Sequence, residues 1–383
     1  MKIDPYKNKE RFEKWKILVQ NRGIPDINPE NSQLIVKYVL DMESGMNVSI
    51  GNKKGARSFS RLNNLAQRMI FLTKSFEKNG IVKLTEITEE QLVNFFHEMR
   101  SGTMTRKDGE KYKSVADYIK VFKAFWHWHQ RIASRKGENI QDITKYLDTT
   151  SEKPEWVYLT EEQVKRLCEN ANFKYRVLMT FLYDTGIRAP TELMNIRVSD
   201  LYNNCKELNV REEISKTFGR RIKLMLSSQL LKDYIQSKCL KGDDYIFSIS
   251  PKIANQYLQR LAVKVLGDGM SEAGQKYSQL TMYDFRHCSC CYWLPRYKSE
   301  SALKYRFGWK KSDKIHYYSE LLGMKDTIQE EDLLVDVTKT EIEKKLMKSE
   351  NEKEVMQERM QHLETQMQRM LEMLNKGLRV VEV

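Results

Sequence analysis

Apolar residues recur at helical spacing over much of the first third of the chain. Leu34, Ile35, Tyr38, Val39 and Met42 form one such run after Ser32, and Leu62, Leu65, Met69, Leu72 and Phe76 form a second. Steps of three and four place these side chains on one face, so both runs predict amphipathic helices. A third helix is signalled by Thr88-Glu-Glu-Gln91, in which the Thr hydroxyl and the Gln side chain satisfy backbone donors of a first turn, ahead of QLVNFFHEM. A fourth begins near Ser114 and carries Tyr118, Val121, Phe122, Phe125 and Trp126 on one side. Residues 1–30 show no clear periodicity and are read as an N-terminal segment. Residues 31–135 are read as an all-helical domain.

Polar residues with Gly and Pro and little apolar periodicity then run to Trp156, so 136–156 is expected to be a linker. A second capping box, Thr160-Glu-Glu-Gln163, opens the next domain, 157–325, with a helix through Leu167. TELMNIR, after Arg188, reads as helical. Glu207–Ile214 and Gly219–Leu226, the latter alternating Ile222, Leu224 and Leu226, read as strands of a hairpin or small sheet. The predicted class is mainly α with a small β-sheet. In the tail, 326–383, Ile342, Leu346, Met356, Met360, Leu363, Met367, Met370 and Leu374 fall on an alternating four-then-three ladder, broken at Ser349 and Lys353. That is the seam of a coiled coil, and packing against the protein's own body is the other reading of such a stripe.

Charge changes this picture of a two-part helical protein. The net charge is +13, yet from Asp326 onward 14 acidic residues face 9 basic ones, a balance of −5, so residues 1–325 carry +18. An excess of that size attracts polyanions and fits a partner rich in phosphates, although basic surfaces are often merely solvated. The six cysteines, at 168, 205, 239, 288, 290 and 291, have neither a disulfide-framework nor a zinc-site spacing and are read as reduced core thiols. No stretch approaches the ~18 continuous apolar residues of a membrane span, and the start MKIDPYKNKE lacks a signal-type apolar core, so a cytoplasmic protein without membrane contact is expected.

Against that background a set of motifs stands in a distinctive order. Thr-Gly-Ile-Arg188 comes first, then Lys216 in the expected hairpin, Tyr283-Asp-Phe-Arg286-His287, Gly-Trp309, and Tyr318 nine residues after that tryptophan. Singly each is ordinary: an arginine can cap a turn or sit in a structural ion pair, a strand lysine can be solvated, and a tryptophan can be core. Jointly the series resembles the catalytic domain of tyrosine recombinases and integrases over about residues 157–322, and the helical part resembles that family's core-binding domain, particularly of archaeal integrases. The resemblance implies Arg188 and Arg286 as the catalytic arginines, Lys216 as the hairpin lysine, Trp309 at the His-or-Trp position and Tyr318 as nucleophile. Tyr283 stands where the family usually has His, and Arg188-Ala-Pro-Thr-Glu192-Leu193 is one residue longer than the family's R-x-x-E-L.

The chemistry explains these residue types. Attack on a phosphodiester gathers negative charge on the non-bridging oxygens, which two guanidinium forks can hold bidentately. A tyrosine stores the cleaved bond as a phosphotyrosine, an ammonium can protonate the departing 5′ oxygen, and an indole N–H adds a neutral hydrogen bond. No metal or other cofactor is required, and no acidic cluster or His/Cys spacing would build a metal site. His287 is read as a packed or supporting histidine, and His127 and His129 lie two apart, the wrong spacing for one helix face.

The expected whole is a clamp of a helical and a mixed domain around duplex DNA, with homo-oligomers, tetramers on paired sites, implied by the family. Lys53, Lys54, Arg57 and Arg61, with Arg106, Lys107, Lys111 and Lys113, are the candidates for backbone contacts. Three rival readings remain: a type IB topoisomerase, a catalytically inactive DNA-binding protein on the same fold, and an assembly factor built around the coiled coil.

Overall fold

The computed structural model describes residues 2–46, 55–297 and 299–322, together with Met356, Met360 and Met367. Met1–Tyr318 form one compact unit and Ser319–Val383 a second. The expected coiled-coil seam lies outside the described residues except for those three methionines, which are helical and exposed.

Five helices build the N-terminal part: α1 (Asn8–Arg22), α2 (Pro29–Ser44), α3 (Phe59–Lys78), α4 (Glu89–Ser101) and α5 (Val115–Ser134). The apolar stripes read from the sequence meet in one core, in which Ile35, Tyr38, Leu62, Leu72, Phe76, Phe122 and Phe125 are fully buried. The capping box at Thr88 is formed as expected. Helix α1 is the element missed: it buries only Phe12 and Val19, seven residues apart, while Ile17 and Leu18 point outward. Two anchors and two exposed apolar residues give no readable stripe. The first half of segment 136–156 also packs: Leu147 and Thr144 are buried, and the carbonyl of Gln141 accepts from Trp126 Nε1 at 3.0 Å.

The second part contains α6 (Glu161–Asn170), α7 (Phe173–Thr185), α8 (Ser228–Ser237), α9 (Pro251–Leu266), α10 (Asp284–Trp293), α11 (Glu300–Phe307) and α12 (Asp313–Leu321). Its antiparallel sheet runs β1 (Leu201–Tyr202), β2 (Glu207–Val210), β3 (Arg220–Lys223), with Leu208 opposite Ile222. Helix α7 is buried on nearly all sides, from Val177 to Thr185, and α10 packs directly on it. Both strands are shorter than expected. After Lys223 the amides of Met225, Leu226 and Ser227 turn to the buried carboxylate of Asp184, ending the ladder. TELMNIR, expected helical, yields only a three-residue 3-10 turn at Leu193–Asn195, because Ile196 and Val198 pair their backbones with Ile246 and Asp244 instead. Among the described residues no helix is long and apolar enough to cross a membrane, and all six cysteines are free.

Candidate active site

Two helix ends receive the two arginines. Helix α7 closes at Gly186, φ 59°, and α11 at Gly308, φ 61°, both left-handed positions that favour glycine. A Cβ on Gly186 would lie 2.2 Å from the Phe307 ring, so only glycine fits there. The carbonyls left over at these ends sit at the negative poles of their helices. Arg286 donates from Nη1 to Gly186 O and from Nη2 to Phe307 O, the latter at 2.6 Å. Arg188 donates from Nη2 to Gly308 O at 2.9 Å and from Nη1 to Glu192 Oε1 at 2.7 Å. Each guanidinium thus commits two nitrogens to fixed acceptors and keeps further N–H donors for an anion.

Glu192 is the hub of this network and is fully buried. Its carboxylate takes Arg188 on one side and Arg220 Nη1 and Nη2, at 3.1 and 2.8 Å, on the other, despite the extra residue between Arg188 and Glu192. Burial alone raises its pKa, but the hydrogen bond and charge of Arg220, then the charge of Arg188, outweigh it and hold the group down to about 2. Arg220, on β3, also donates from Nε to Arg306 O at 2.8 Å. Arg286 has no carboxylate, and burial first and the like charge of Arg188 next lower its pKa. Three arginines around one carboxylate leave an uncompensated positive charge in a dry pocket, which is where an incoming anion is held most strongly.

Tyr318 stands beside this pocket. Its ring stacks on Trp309, centroids 5.9 Å apart and planes 10° off parallel, and its hydroxyl is hydrogen-bonded to His287 Nδ1. It is buried, and that burial, reinforced by the neighbouring Cys290 and opposed by Arg286, raises the phenol's pKa above its ordinary value. Tyr317 faces elsewhere: its hydroxyl donates to Pro154 O at 2.8 Å and accepts from Trp156 Nε1 at 2.6 Å. Trp309 also lies under Arg286, whose Cζ is 5.9 Å from its ring centre. Tyr283 is half exposed at the start of α10, its ring edge-on to His287 at 5.2 Å.

Arg188, Arg286, Trp309 and Tyr318 therefore converge, with Tyr283 one ring removed. Lys216 is exposed on the β2–β3 loop, outside the strands, and makes no hydrogen bond or ion pair among the described residues. Among the described residues, no basic candidate of the helical part is bonded to a residue of this pocket. Lys53 and Lys54 lie outside the described residues, and Arg61 is exposed near the start of α3, with Arg57 just ahead of that helix. Arg106 pairs with Asp108 at 2.7 Å and Lys113 with Glu155 at 2.5 Å, whereas Lys107 and Lys111 are exposed on the same loop. Sequence reasoning missed Arg220 and Trp156 and underrated His287. Only His287 carried a signal, its place next to Arg286. No group of three or more His, Cys, Asp or Glu side chains is disposed to hold a metal ion among the described residues.

The phage integrase family profile matches residues 157–324. The Tn1549 transposon integrase in complex with transposon right end DNA has a similar fold, with a TM-score of 0.55 at 15% identity over 82% of this chain and 98% of that one. A lambda integrase dimer bound to a COC′ core site gives 0.53 at 17% identity over 78% and 79%. No curated protein matches the sequence. Residues 157–324, a little under half of the chain, thus carry the phage integrase family profile, over the same stretch that holds the ordered motifs.

Proposed function

We propose that the chain is a site-specific DNA recombinase that cleaves and rejoins duplex DNA through a 3′-phosphotyrosine. The observation that carries this reading is the placement of a tyrosine hydroxyl, bonded to a histidine, beside two carbonyl-held arginines with spare donors. In the proposed reaction Tyr318 Oη attacks the phosphorus, His287 Nδ1 takes the phenol proton, and Lys216 protonates the departing 5′ oxygen. Arg188 and Arg286 hold the non-bridging oxygens, and the Trp309 indole adds a neutral donor. The 5′ hydroxyl of another strand then attacks the phosphotyrosine and releases Tyr318, so neither ATP nor a metal enters the balance. Because Tyr318 is buried, engagement of DNA has to expose it before attack.

The partner on this reading is duplex DNA, held also through Arg57, Arg61, Lys107 and Lys111, with copies of the chain assembled on paired sites in the cytoplasm. Incubation with nicked oligonucleotides from DNA flanking its own gene should trap a covalent adduct. Relaxation of a plasmid lacking any specific site would favour a topoisomerase instead, and DNA binding with no adduct would favour an inactive architectural protein.

Two further results are expected. Tyr283→Phe should slow cleavage by no more than about tenfold, because its hydroxyl supplies at most one hydrogen bond. A loss as deep as that of Arg286→Ala in a single-turnover assay would contradict this. Deleting residues 337–383 should leave strand cleavage intact while lowering recombination or the oligomeric state measured by light scattering, since the sequence from Met356 to Leu374 carries the Met-and-Leu ladder expected of a self-association seam. A folded truncation that no longer cleaves a suicide substrate would count against that role.

A further inference from the structure

Lys216 lies between two hydroxyl residues, and both are tied to the acceptors that hold Arg188. Ser215 Oγ donates to Glu192 Oε1 at 3.3 Å, the oxygen that also binds Arg188 Nη1. Thr217 Oγ1 donates to Gly308 O at 2.8 Å, the carbonyl that also binds Arg188 Nη2. The Thr217 amide donates back to Ser215 Oγ at 3.3 Å, closing a small turn around the lysine. Elsewhere in the loop Ile214 is buried and Phe218 stacks on Tyr305, whereas Glu212 and Glu213 are exposed and Lys216 itself has no partner among the described residues.

From this juxtaposition we propose that Ser215 and Thr217 are positioning residues that register the Lys216 loop against Arg188, fixing where the lysine delivers its proton. A flexible four-carbon ammonium stem is a poor general acid unless its base is anchored, because proton delivery demands placement within a hydrogen-bond length. Anchoring both sides of the lysine to the two acceptors of one arginine puts its Cα at a fixed distance from the phosphate that this arginine holds. Glu192 and Gly308 O therefore serve two functions, orienting the guanidinium and seating the loop. The proposal rests on Lys216 as the acid and Arg188 as a phosphate ligand.

The test separates proton delivery from binding and from folding. Single-turnover cleavage is measured on two nicked duplexes, one with the natural 5′ bridging oxygen and one with sulfur in its place. A thiolate leaves without being protonated, so a defect confined to the acid disappears on the sulfur substrate. Lys216→Ala should lose about 10²-fold or more on oxygen and recover on sulfur. Ser215→Ala with Thr217→Val should lose about 10- to 10²-fold on oxygen, recover to within about threefold on sulfur, and bind both duplexes as the parent does. Failure of sulfur to rescue Lys216→Ala would remove the acid role itself. With that role intact, a double variant as fast as the parent on oxygen, or equally slow on both substrates, would overturn the positioning role. Thr217→Ser, which keeps the hydroxyl, should retain the parent's oxygen-substrate rate, and a loss matching Thr217→Val would likewise overturn it.

Discussion

Tyr318→Phe is expected to abolish the covalent protein–DNA adduct while leaving DNA affinity unchanged. The substitution removes only the attacking oxygen: the ring keeps its stacking on Trp309 and its contacts with Trp156 and His287. The stability lost is the net value of one hydrogen bond to His287, about 1 kcal/mol. The kinetic effect is of another order, because the substitution takes away the attacking atom itself, and cleavage should fall by at least about 10⁴-fold. Tyr317→Phe should still form the adduct, since its hydroxyl is committed to Pro154 and Trp156. Gel-shift affinity and adduct yield on a nicked substrate, read side by side for both variants, check the contrast. An adduct retained by Tyr318→Phe and lost by Tyr317→Phe would reverse the assignment.

The second large effect is on stability. Arg220 and Glu192 are both fully excluded from solvent and bonded through both guanidinium nitrogens. Arg220→Ala would leave a buried carboxylate held by Arg188 and the Ser215 hydroxyl, and breaking such a pair costs about 3–5 kcal/mol. A melting temperature lowered by less than a few degrees would show that the pair is replaceable. The same pair sets an acid limit. Glu192 has its pKa depressed to about 2, so its contribution is complete above the unfolded carboxylate's value near 4.5 and is lost as pH falls toward 2. That contribution is on the order of 3 kcal/mol. Thermal melts across this window should therefore fall more steeply for the parent than for Glu192→Gln.

Periodicity made α2 to α5 legible because each buries one face in a shared core, and the capping boxes at Thr88 and Thr160 mark helix starts by local chemistry alone. It failed where burial is either sparse or total. Helix α1 anchors through Phe12 and Val19 only, and α7 is surrounded, so neither shows a polar-apolar alternation to read. The strands were overextended because Leu224 is buried like Ile222, yet the chain has already left the sheet for Asp184. Tertiary partners, invisible in the sequence, set those ends.

At the site, the order of motifs and the family resemblance singled out Arg188, Arg286, Trp309 and Tyr318, which the fold gathers around one pocket. The supports were another matter. Arg220 lies in a run of three basic residues, Arg220, Arg221 and Lys223 around Ile222, and nothing local says which one turns inward; strand alternation buries Arg220 and exposes Arg221. Trp156 sits at the end of a polar segment, and its contact with Tyr317 spans 161 positions. Ser215 and Thr217 are unremarkable until Glu192 and Gly308 come within reach of them.

Whether Tyr318 carries the DNA is read most directly by mass spectrometry of the peptide from a protease-digested adduct. The protein would be trapped on a nicked oligonucleotide and the fragment masses assigned to one residue. A nucleotide joined through its 3′ phosphate to Tyr318 is the expected product. A nucleotide on Tyr317, on Tyr283, or joined through a 5′ phosphate would contradict it.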